Sequence, residues 1–293
     1  MKFASSELII NESGSIYHLN LHPEQISDII FLVGDPGRVE RVSRHFDKID
    51  HRVQKREFIT HTGWYNGVRM SVISTGIGTD NIDIVLNELD ALANIDIRTK
   101  EINEHFRQLT LIRLGTSGSL QKEIGPGSLV VSSHAIGFDG LLHYYHREPN
   151  IEGIKLEDAF LDYCNQGGIH LPLNPYGSKG NITIQHRYFS ELKAGITLTA
   201  SGFYAPQSRQ LRIKGNYPNL ISQLHGFSFE GYHFTNMEME TAAIYGLSEI
   251  MGHRALSINA ILANRATGEF AQDPGKHVDD MIRTVLENMT KEA

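Results

Sequence analysis

The chain has 293 residues but only one cysteine, Cys164, so it cannot form a disulfide within itself or build a zinc site from cysteine ligands. No apolar run approaches the roughly 20 residues needed to span a bilayer. Residues 1–20 also lack the apolar core of a secretory signal. These absences predict a protein of a reducing, cytoplasmic compartment with no membrane partner.

Basic residues are outnumbered by acidic residues. Lys and Arg number 27 against 34 Asp and Glu, which gives a formal net charge of -7. A general nucleic-acid binder needs a basic face to displace counterions, so we expect no nucleic-acid partner. A few local arginines can still hold a small anion in such a chain.

The rest of the sequence alternates short apolar runs, glycine-rich turns and amphipathic stretches. Predicted strands cover residues 29–33, 68–74, 109–114, 128–133, 196–200 and 255–262. Predicted helices begin near residues 38 and 80 and cover residues 239–251 and 276–289. Asp80 or Asn81 is the expected cap of the second helix. This alternation predicts an α/β fold with a largely parallel sheet, in a single domain over residues 1–293.

Residues 139–180 follow the alternation of predicted strands and helices less closely than the rest of the chain. They combine a cluster of histidine and tyrosine at residues 143–146 with turn-rich sequence at residues 167–168 and 172–177. We interpret this stretch as an insertion or a mobile surface segment, with one helix at residues 156–164.

Three predicted strands end in glycine-containing turns, at residues 34–38, 75–78 and 115–118. Ligands of α/β sheets bind beyond the carboxyl ends of the strands. Arg38 lies in the first turn, and Arg113 lies inside an apolar strand, where an arginine is costly unless it is paired. The pattern therefore indicates an anion site. The turns lack the third glycine of a dinucleotide fingerprint and the Gly-Lys of a Walker A loop, which argues against a nicotinamide enzyme or an ATPase.

Several segments, in order along the chain, resemble the serial motifs of nucleoside phosphorylase family I. They are residues 33–38, 55–58, 74–78, 113–118, 201–209, 236–242 and 263–265. Residues 201–209 resemble the pyrimidine-base loop of the uridine branch, and Ala-Asn-Arg at residues 263–265 stands where the purine branch has a Ser-Asp pair. The resemblance implies a single α/β domain whose central mixed, partly barrel-like sheet is flanked by helices.

The resemblance also implies a role for individual residues. The phosphate ligands would be Gly34, Arg38, Arg113 and Thr116, with Arg56 of the partner subunit. The ribose ligands would be Glu238, Met239 and Glu240, with His18 of the partner subunit. The base ligands would be Phe203, Gln207 and Arg209. Arg265 would stabilise negative charge on the leaving base, so the catalytic residues would be Arg113, Glu240 and Arg265.

The chemistry implied is reversible phosphorolysis of uridine, or of deoxyuridine, to uracil and the pentose 1-phosphate. Phosphate is the nucleophile, so we expect no cofactor and assign no firm metal site. Some members of the family use the position of Glu57 for a cation between subunits. Sites shared across subunits require a homo-oligomer, either a dimer or a hexamer.

Some positions depart from the family pattern, among them residues 79–81 (Thr-Asp-Asn), which replace a common Pro-Ser form, and Ala266, which separates Arg265 from Thr267. Three alternatives stay open. The chain could be a purine nucleoside phosphorylase, a nucleosidase of the same fold that uses water, or a non-catalytic nucleoside-binding protein. Gln207 and Arg209 favour a pyrimidine nucleoside over a purine nucleoside as the substrate. The arginines assigned to phosphate (Arg38, Arg56 and Arg113) favour a phosphorylase over a nucleosidase.

Overall fold

A computed structural model describes residues 2–148 and 152–291. The strands are β1 (Ile29–Val33), β2 (Lys48–Lys55), β3 (Phe58–Tyr65), β4 (Val68–Ser74), β5 (Ile95–Asp96), β6 (Glu101–Ile102), β7 (Thr110–Ser119), β8 (Leu129–Phe138), β9 (Tyr176–Lys179), β10 (Lys193–Ala200), β11 (Ser228–Phe229), β12 (Tyr232–Glu238), β13 (Arg254–Asn264) and β14 (Glu269–Phe270). The α-helices are α1 (Pro36–Ser43), α2 (Thr79–Asn94), α3 (Glu152–Gln166), α4 (Ile182–Tyr188), α5 (Leu220–Leu224), α6 (Thr241–Ile250) and α7 (Pro274–Thr290).

The central sheet runs in the order β11-β12-β10-β8-β13-β7-β1-β4-β3-β2, with β9 beside β8 and β14 beside β13. An additional antiparallel pairing of β12 with β7 closes β7, β13, β8, β10 and β12 into a barrel. Parallel pairs join β1 to both β4 and β7, whereas β2, β3 and β4 form antiparallel pairs. The mixed, partly barrel-like sheet implied by the family resemblance is therefore confirmed.

Helices cover both faces of the sheet, which explains why β1 reads as a continuous apolar run. Ile30 and Leu32 belong to one apolar cluster with residues of α2 and α6. Phe31 and Val33 belong to a second cluster with residues of α1 and α7. Successive side chains of a strand point to opposite faces, so this short strand contributes to two core layers at once.

The predicted turn at residues 115–118 is wrong, because β7 continues through it to Ser119. The strand has partners along this whole stretch: Gly115 lies opposite Asn259 of β13, and Gly118 lies opposite Met237 of β12. A Cβ on Gly115 would lie 1.6 Å from Nη1 of Arg113. Glycine therefore makes room here for a neighbouring side chain and does not mark a turn.

The predicted cap of α2 is also wrong. The helix begins at Thr79, and its N-cap is Gly78, whose φ of 95° is disfavoured for residues with a Cβ. The N–H of Gly78 donates to the carboxylate of Glu240, 2.9 Å away. A contact with a distant residue therefore sets the start of this helix, and Asp80 and Asn81 lie inside it.

Residues 139–180 contribute to the core. The helix predicted at residues 156–164 is confirmed within α3, where Phe160 and Cys164 are buried in an apolar cluster with Leu198. β9 extends the sheet beside β8. Residues 149–151 of this stretch lie outside the described residues, and its interpretation as an insertion stays a prediction.

None of the helices within residues 2–148 and 152–291 is long and apolar enough to cross a membrane.

Candidate active site

A pocket of about 800 Å³ is lined by residues on or just beyond β1, β4, β7 and β12. Its volume is large enough for a small-molecule ligand. Many of the residues assigned by sequence line the pocket. They are Gly34, Arg38, Glu57, Arg113, Thr116, Phe203, Gln207, Arg209, Glu238, Met239 and Glu240. The fold thus gathers three separately predicted groups of ligands into one cavity.

One end of the pocket is suited to an anion. Asp35 caps α1 by accepting from the N–H of Gly37, and this places Arg38 in the first turn of the helix. Nη1 of Arg38 donates to the Leu114 carbonyl over 2.9 Å, while its buried Nε has no hydrogen-bond partner in the described part of the chain. Burial, followed by the charge of Arg113, lowers the pKa of Arg38 to about 10. The side chain is still cationic at neutral pH, and an anion would satisfy its free donor.

Arg113 occupies the floor of the same end, where its side chain is only 7% exposed. Nη2 contacts the carboxylates of Glu240 and, at 3.2 Å, Glu238. Nη1 donates to Oδ1 of Asn259 over 3.0 Å. Burial lowers the pKa of Arg113, but the two carboxylates more than offset this and raise its pKa overall. The strand arginine is therefore paired, as the cost of burying a charge requires.

The lone pairs of Glu238 are largely used within the chain. Its oxygens accept from the Thr199 hydroxyl over 2.7 Å, from the N–H of Glu240 over 3.0 Å and from both the N–H and the hydroxyl of Thr241. Burial raises the pKa of Glu238, and the charge of Arg113 opposes that rise. This carboxylate mainly stabilises the site, and its predicted contact with ribose stays a prediction.

Glu240 is the more available carboxylate. It lies at the N-cap of α6, where Oε1 accepts from Gly78 and Oε2 from Arg113. It lines the pocket beside Met239. A carboxylate with so few partners can accept hydrogen bonds from two adjacent hydroxyls.

The other end of the pocket is formed by the loop after β10. The Arg209 guanidinium lies 3.9 Å from the centroid of the Phe203 ring, in a cation–π arrangement, and donates to the Phe203 carbonyl over 2.8 Å. It also donates to Oε1 of Gln207. Gln207 is buried, whereas Phe203 is 51% exposed. Arg209 thus holds the Gln207 amide through its oxygen, and both residues line the pocket.

Arg265 lies behind this loop and lines an adjoining cavity of about 280 Å³. Nη2 of Arg265 donates to the Gln207 carbonyl over 2.7 Å, and Nη1 lies 3.4 Å from the sulfur of Met237. Burial, with the charge of Arg209, lowers the pKa of Arg265 to about 10. The structure therefore places Arg265 against the loop after β10 and outside the lining of the main pocket.

His18 and Arg56 do not line the pocket of their own chain. Nδ1 of His18 lies 2.7 Å from Oε1 of Glu88. Arg56 is exposed in the turn between β2 and β3, with a φ of 55°. Their assignment to the site of a partner subunit stays a prediction.

Glu57 lines the pocket, and its Oε1 lies 3.4 Å from the amide nitrogen of Asn81. Within residues 2–148 and 152–291, no group of three His, Cys, Asp or Glu side chains has an arrangement that could hold a metal ion. The cation role of Glu57 stays a prediction.

Asn259 and Gly78 are among the contributors to the site that were not predicted from the sequence. Asn259 lies within the apolar run at residues 255–262, as Arg113 lies within its own apolar strand. A search for polar side chains inside predicted apolar strands would therefore have identified both residues. Gly78 contributes a backbone N–H, and a backbone donor leaves no side-chain signal in a sequence.

Residues 28–292 match the family model of the phosphorylase superfamily. A uridine phosphorylase of Thermococcus kodakarensis is 30% identical over 92% of this chain and 85% of its own length. A second, from Haemophilus influenzae, is 26% identical over 88% of this chain and 90% of its own length. A solved nucleoside phosphorylase of Trypanosoma brucei, described as showing uridine phosphorylase activity, aligns with a TM-score of 0.81 at 28% identity over 97% of this chain and 99% of its own. The chain therefore belongs to the phosphorylase superfamily.

Proposed function

We propose that this chain is a uridine phosphorylase, a pentosyltransferase that converts uridine and phosphate to uracil and ribose 1-phosphate and also runs in reverse. The observation that carries the proposal is the arrangement of a single pocket. The arginine pair Arg38 and Arg113 lies at one end, the Gln207–Arg209 pair lies at the other, and Glu240 lines the same cavity. The names and activities of the relatives above support the same conclusion.

Phosphate would bind beside Gly34 and Thr116, with its charge held by Arg38 and Arg113. The free Nε–H of Arg38 supports this assignment, because it is a buried donor that lacks an acceptor. As the glycosidic bond breaks, the ribose gains oxocarbenium character and the base leaves with negative charge. A phosphate dianion beside the sugar stabilises the positive charge of the ribose, and hydrogen-bond donors around the base stabilise the negative charge of the leaving base. The nucleophile is phosphate itself, so the protein needs to supply only position and electrostatics.

Ribose would lie against Met239, with its diol donating to Glu240. The uracil edge would be read by Gln207 and Arg209, beside the ring of Phe203. A site that hydrogen-bonds a substrate edge strongly rejects ligands that lack that edge. This favours a pyrimidine over a purine. Arg265, which holds the Gln207 carbonyl, would act on the leaving base through the same loop.

The working enzyme would be a homo-oligomer, a dimer or a hexamer, in which Arg56 of the partner subunit approaches phosphate and His18 of the partner subunit approaches ribose. In support, the pocket rim exposes apolar side chains that a second subunit could cover, such as Ile77, which is 68% exposed. Nucleoside, phosphate and a second copy of the chain would be the partners, and pyrimidine salvage in the cytoplasm would be the setting.

The test is release of uracil from uridine with and without phosphate, with deoxyuridine as a second substrate and inosine as the purine control. We expect uracil only when phosphate is present. Release without phosphate would identify a nucleosidase, and cleavage of inosine alone would identify a purine enzyme. Binding of uridine with no cleavage would identify a binding protein.

A further inference from the structure

We propose that Asn259 is a positioning residue that fixes the Arg113 guanidinium for phosphate. The inference rests on the proposed function, because it takes phosphate as the anion. Asn259 lies on β13, is fully buried and does not line the pocket, so it would act on the ligand only through Arg113.

The contact between the two residues is direct and enclosed. Nη1 of Arg113 donates to Oδ1 of Asn259 over 3.0 Å, and Asn259 is the cross-strand neighbour of Gly115. A Cβ added to Gly115 would lie 1.6 Å from Nη1 and 2.5 Å from Oδ1. The pair therefore lies directly over the backbone of β7, in space that only a glycine leaves open.

The amide of Asn259 is itself oriented by a chain of hydroxyl groups. Its Nδ2 donates to the Ser257 hydroxyl over 3.1 Å, and that hydroxyl lies 3.0 Å from the hydroxyl of Thr241. Thr241 in turn donates to Glu238 over 2.9 Å, and Glu238 lies 3.2 Å from Nη2 of Arg113. The contacts form a closed ring that begins and ends at one guanidinium, so both of its terminal nitrogens are held. A fully satisfied buried network of this kind rigidifies its members.

The neutral amide has an electrostatic advantage at this position. Glu238 and Glu240 already place two carboxylates against Arg113. A third carboxylate would weaken the attraction of the site for a dianion, whereas an amide oxygen accepts from Nη1 without adding charge. The side chain thus orients Arg113 and leaves its charge for the ligand.

The first test measures the affinity for inorganic phosphate by calorimetry, without nucleoside, in the full-length chain. We expect Asn259→Ala to weaken phosphate binding by about tenfold, as for loss of a hydrogen bond that orients a charged group, and to raise the KM for phosphate with little change in the KM for uridine. We expect Ser257→Ala, which removes only the orienting hydroxyl, to weaken phosphate binding by about threefold.

Asn94→Ala is the matched control. Asn94 is also a buried asparagine, but it binds Asp90 and Arg107 at the far end of α2. We expect it to lower stability without changing phosphate affinity. Asn259→Asp supplies a readout that a purely structural role would not change: its phosphate affinity, relative to the wild type at each pH, should recover as acid protonates the new carboxylate.

Wild-type affinity in both Asn259→Ala and Ser257→Ala would overturn the inference. If Asn259→Ala does not fold, Ser257→Ala and the pH profile of Asn259→Asp decide it. Phosphate binding by the wild type without cleavage of uridine would refute the proposed function alone. Absence of phosphate binding by the wild type would refute both.

Discussion

The carboxylate of Glu240 is held between the Arg113 guanidinium and the backbone N–H of Gly78, a residue 162 positions earlier in the chain. The predicted ribose ligand Glu240 and the predicted phosphate ligand Arg113 are therefore paired with each other. If Arg113 binds phosphate and Glu240 binds ribose as proposed, each ligand competes with this contact for one member of the pair. Under the proposed function, we expect binding of one of these ligands to change the affinity for the other through this contact.

Arg38 and Arg113 should differ in what their loss does to stability. Arg38→Met removes a buried guanidinium whose Nε is unsatisfied, so we expect about 10- to 100-fold weaker phosphate binding with a melting temperature close to that of the wild type. Arg113→Met leaves two buried carboxylates without their cation and should cost about 3–5 kcal/mol of stability. Calorimetry with phosphate and chemical denaturation measure the two effects. Equal losses of stability would contradict the distinction between a free and a paired arginine.

Gln207 should affect the nucleoside and not the anion. We expect Gln207→Ala to raise the KM for uridine by about 10- to 100-fold, because the buried side chain that we propose as a hydrogen-bond partner of the base is lost. The phosphate affinity should be unchanged. Gln223→Ala, at an exposed glutamine on α5, is the control and should behave as the wild type. An unaltered KM in Gln207→Ala would mean that the base is recognised elsewhere.

His134 should make the fold sensitive to acid. It is buried on β8 against Phe229 and Tyr232, with Nδ1 unpartnered among the described residues. Burial, followed by the charge of Lys179, lowers the pKa of His134 from 6.5 to about 4, while Glu152 acts in the opposite direction. The unfolded chain therefore takes up a proton at higher pH than the native one, and stability is lost as pH falls through this window.

The expected loss from His134 is about 2 kcal/mol between neutral pH and about pH 5. Urea denaturation of the wild type and of His134→Asn at both pH values measures it. The variant should show a smaller decrease in its free energy of unfolding over this range. An equal decrease in both proteins would assign the acid sensitivity to other groups.

Tyr176, within residues 139–180, should stabilise the fold through one hydroxyl. That hydroxyl donates to both oxygens of the half-buried Asp139, over 2.8 and 2.6 Å. Burial raises the pKa of Asp139, and the Tyr176 hydroxyl opposes that rise. We expect Tyr176→Phe to cost about 1.5–3 kcal/mol, as for a hydrogen bond to a charged group, with phosphate affinity retained.

The comparison for this change is Tyr163→Phe, whose hydroxyl donates to the Gln223 carbonyl at an exposed position. It should cost less than about 1 kcal/mol. If the two variants unfold at the same denaturant concentration, Asp139 does not depend on Tyr176.

The sequence predicts best those elements whose buried positions are occupied by apolar residues. β1 and β4 were predicted to the residue, because β1 is apolar throughout and most positions of β4 are buried. The hairpin of β2 and β3 was missed, since its first strand alternates exposed and half-buried positions and carries many charges. β12 was missed because its buried positions include the polar residues Thr235, Asn236 and Glu238, whose hydrogen-bond partners include residues of β7 and β10.

The residues of the site were likewise predicted only where a local sequence pattern indicates them. Arg113 was recognisable as a charge in an apolar strand, and Asn259 carries a weaker form of that signal. The Gly115–Gly118 stretch reads as a turn because glycine usually marks one, yet here it clears space for the Arg113 guanidinium. Which carboxylate pairs with that arginine depends on the approach of β7 to β12, and no local pattern encodes a contact across more than a hundred residues.

The pairing of β7 with β12 involves only two residue pairs, Ser119 with Asn236 and Gly118 with Met237. The chain must close a loop of more than a hundred residues to make them, at a cost in entropy that few local contacts offset. Glu238 directly follows this short seam of paired residues on β12, whereas Arg113 lies earlier on β7. Opening of the seam would separate the charged groups of the site while both apolar layers around β1 stay packed. Amide hydrogen exchange should therefore be faster at the seam than in β1, so that the capacity to bind substrate is lost by a partial opening, well before the chain unfolds.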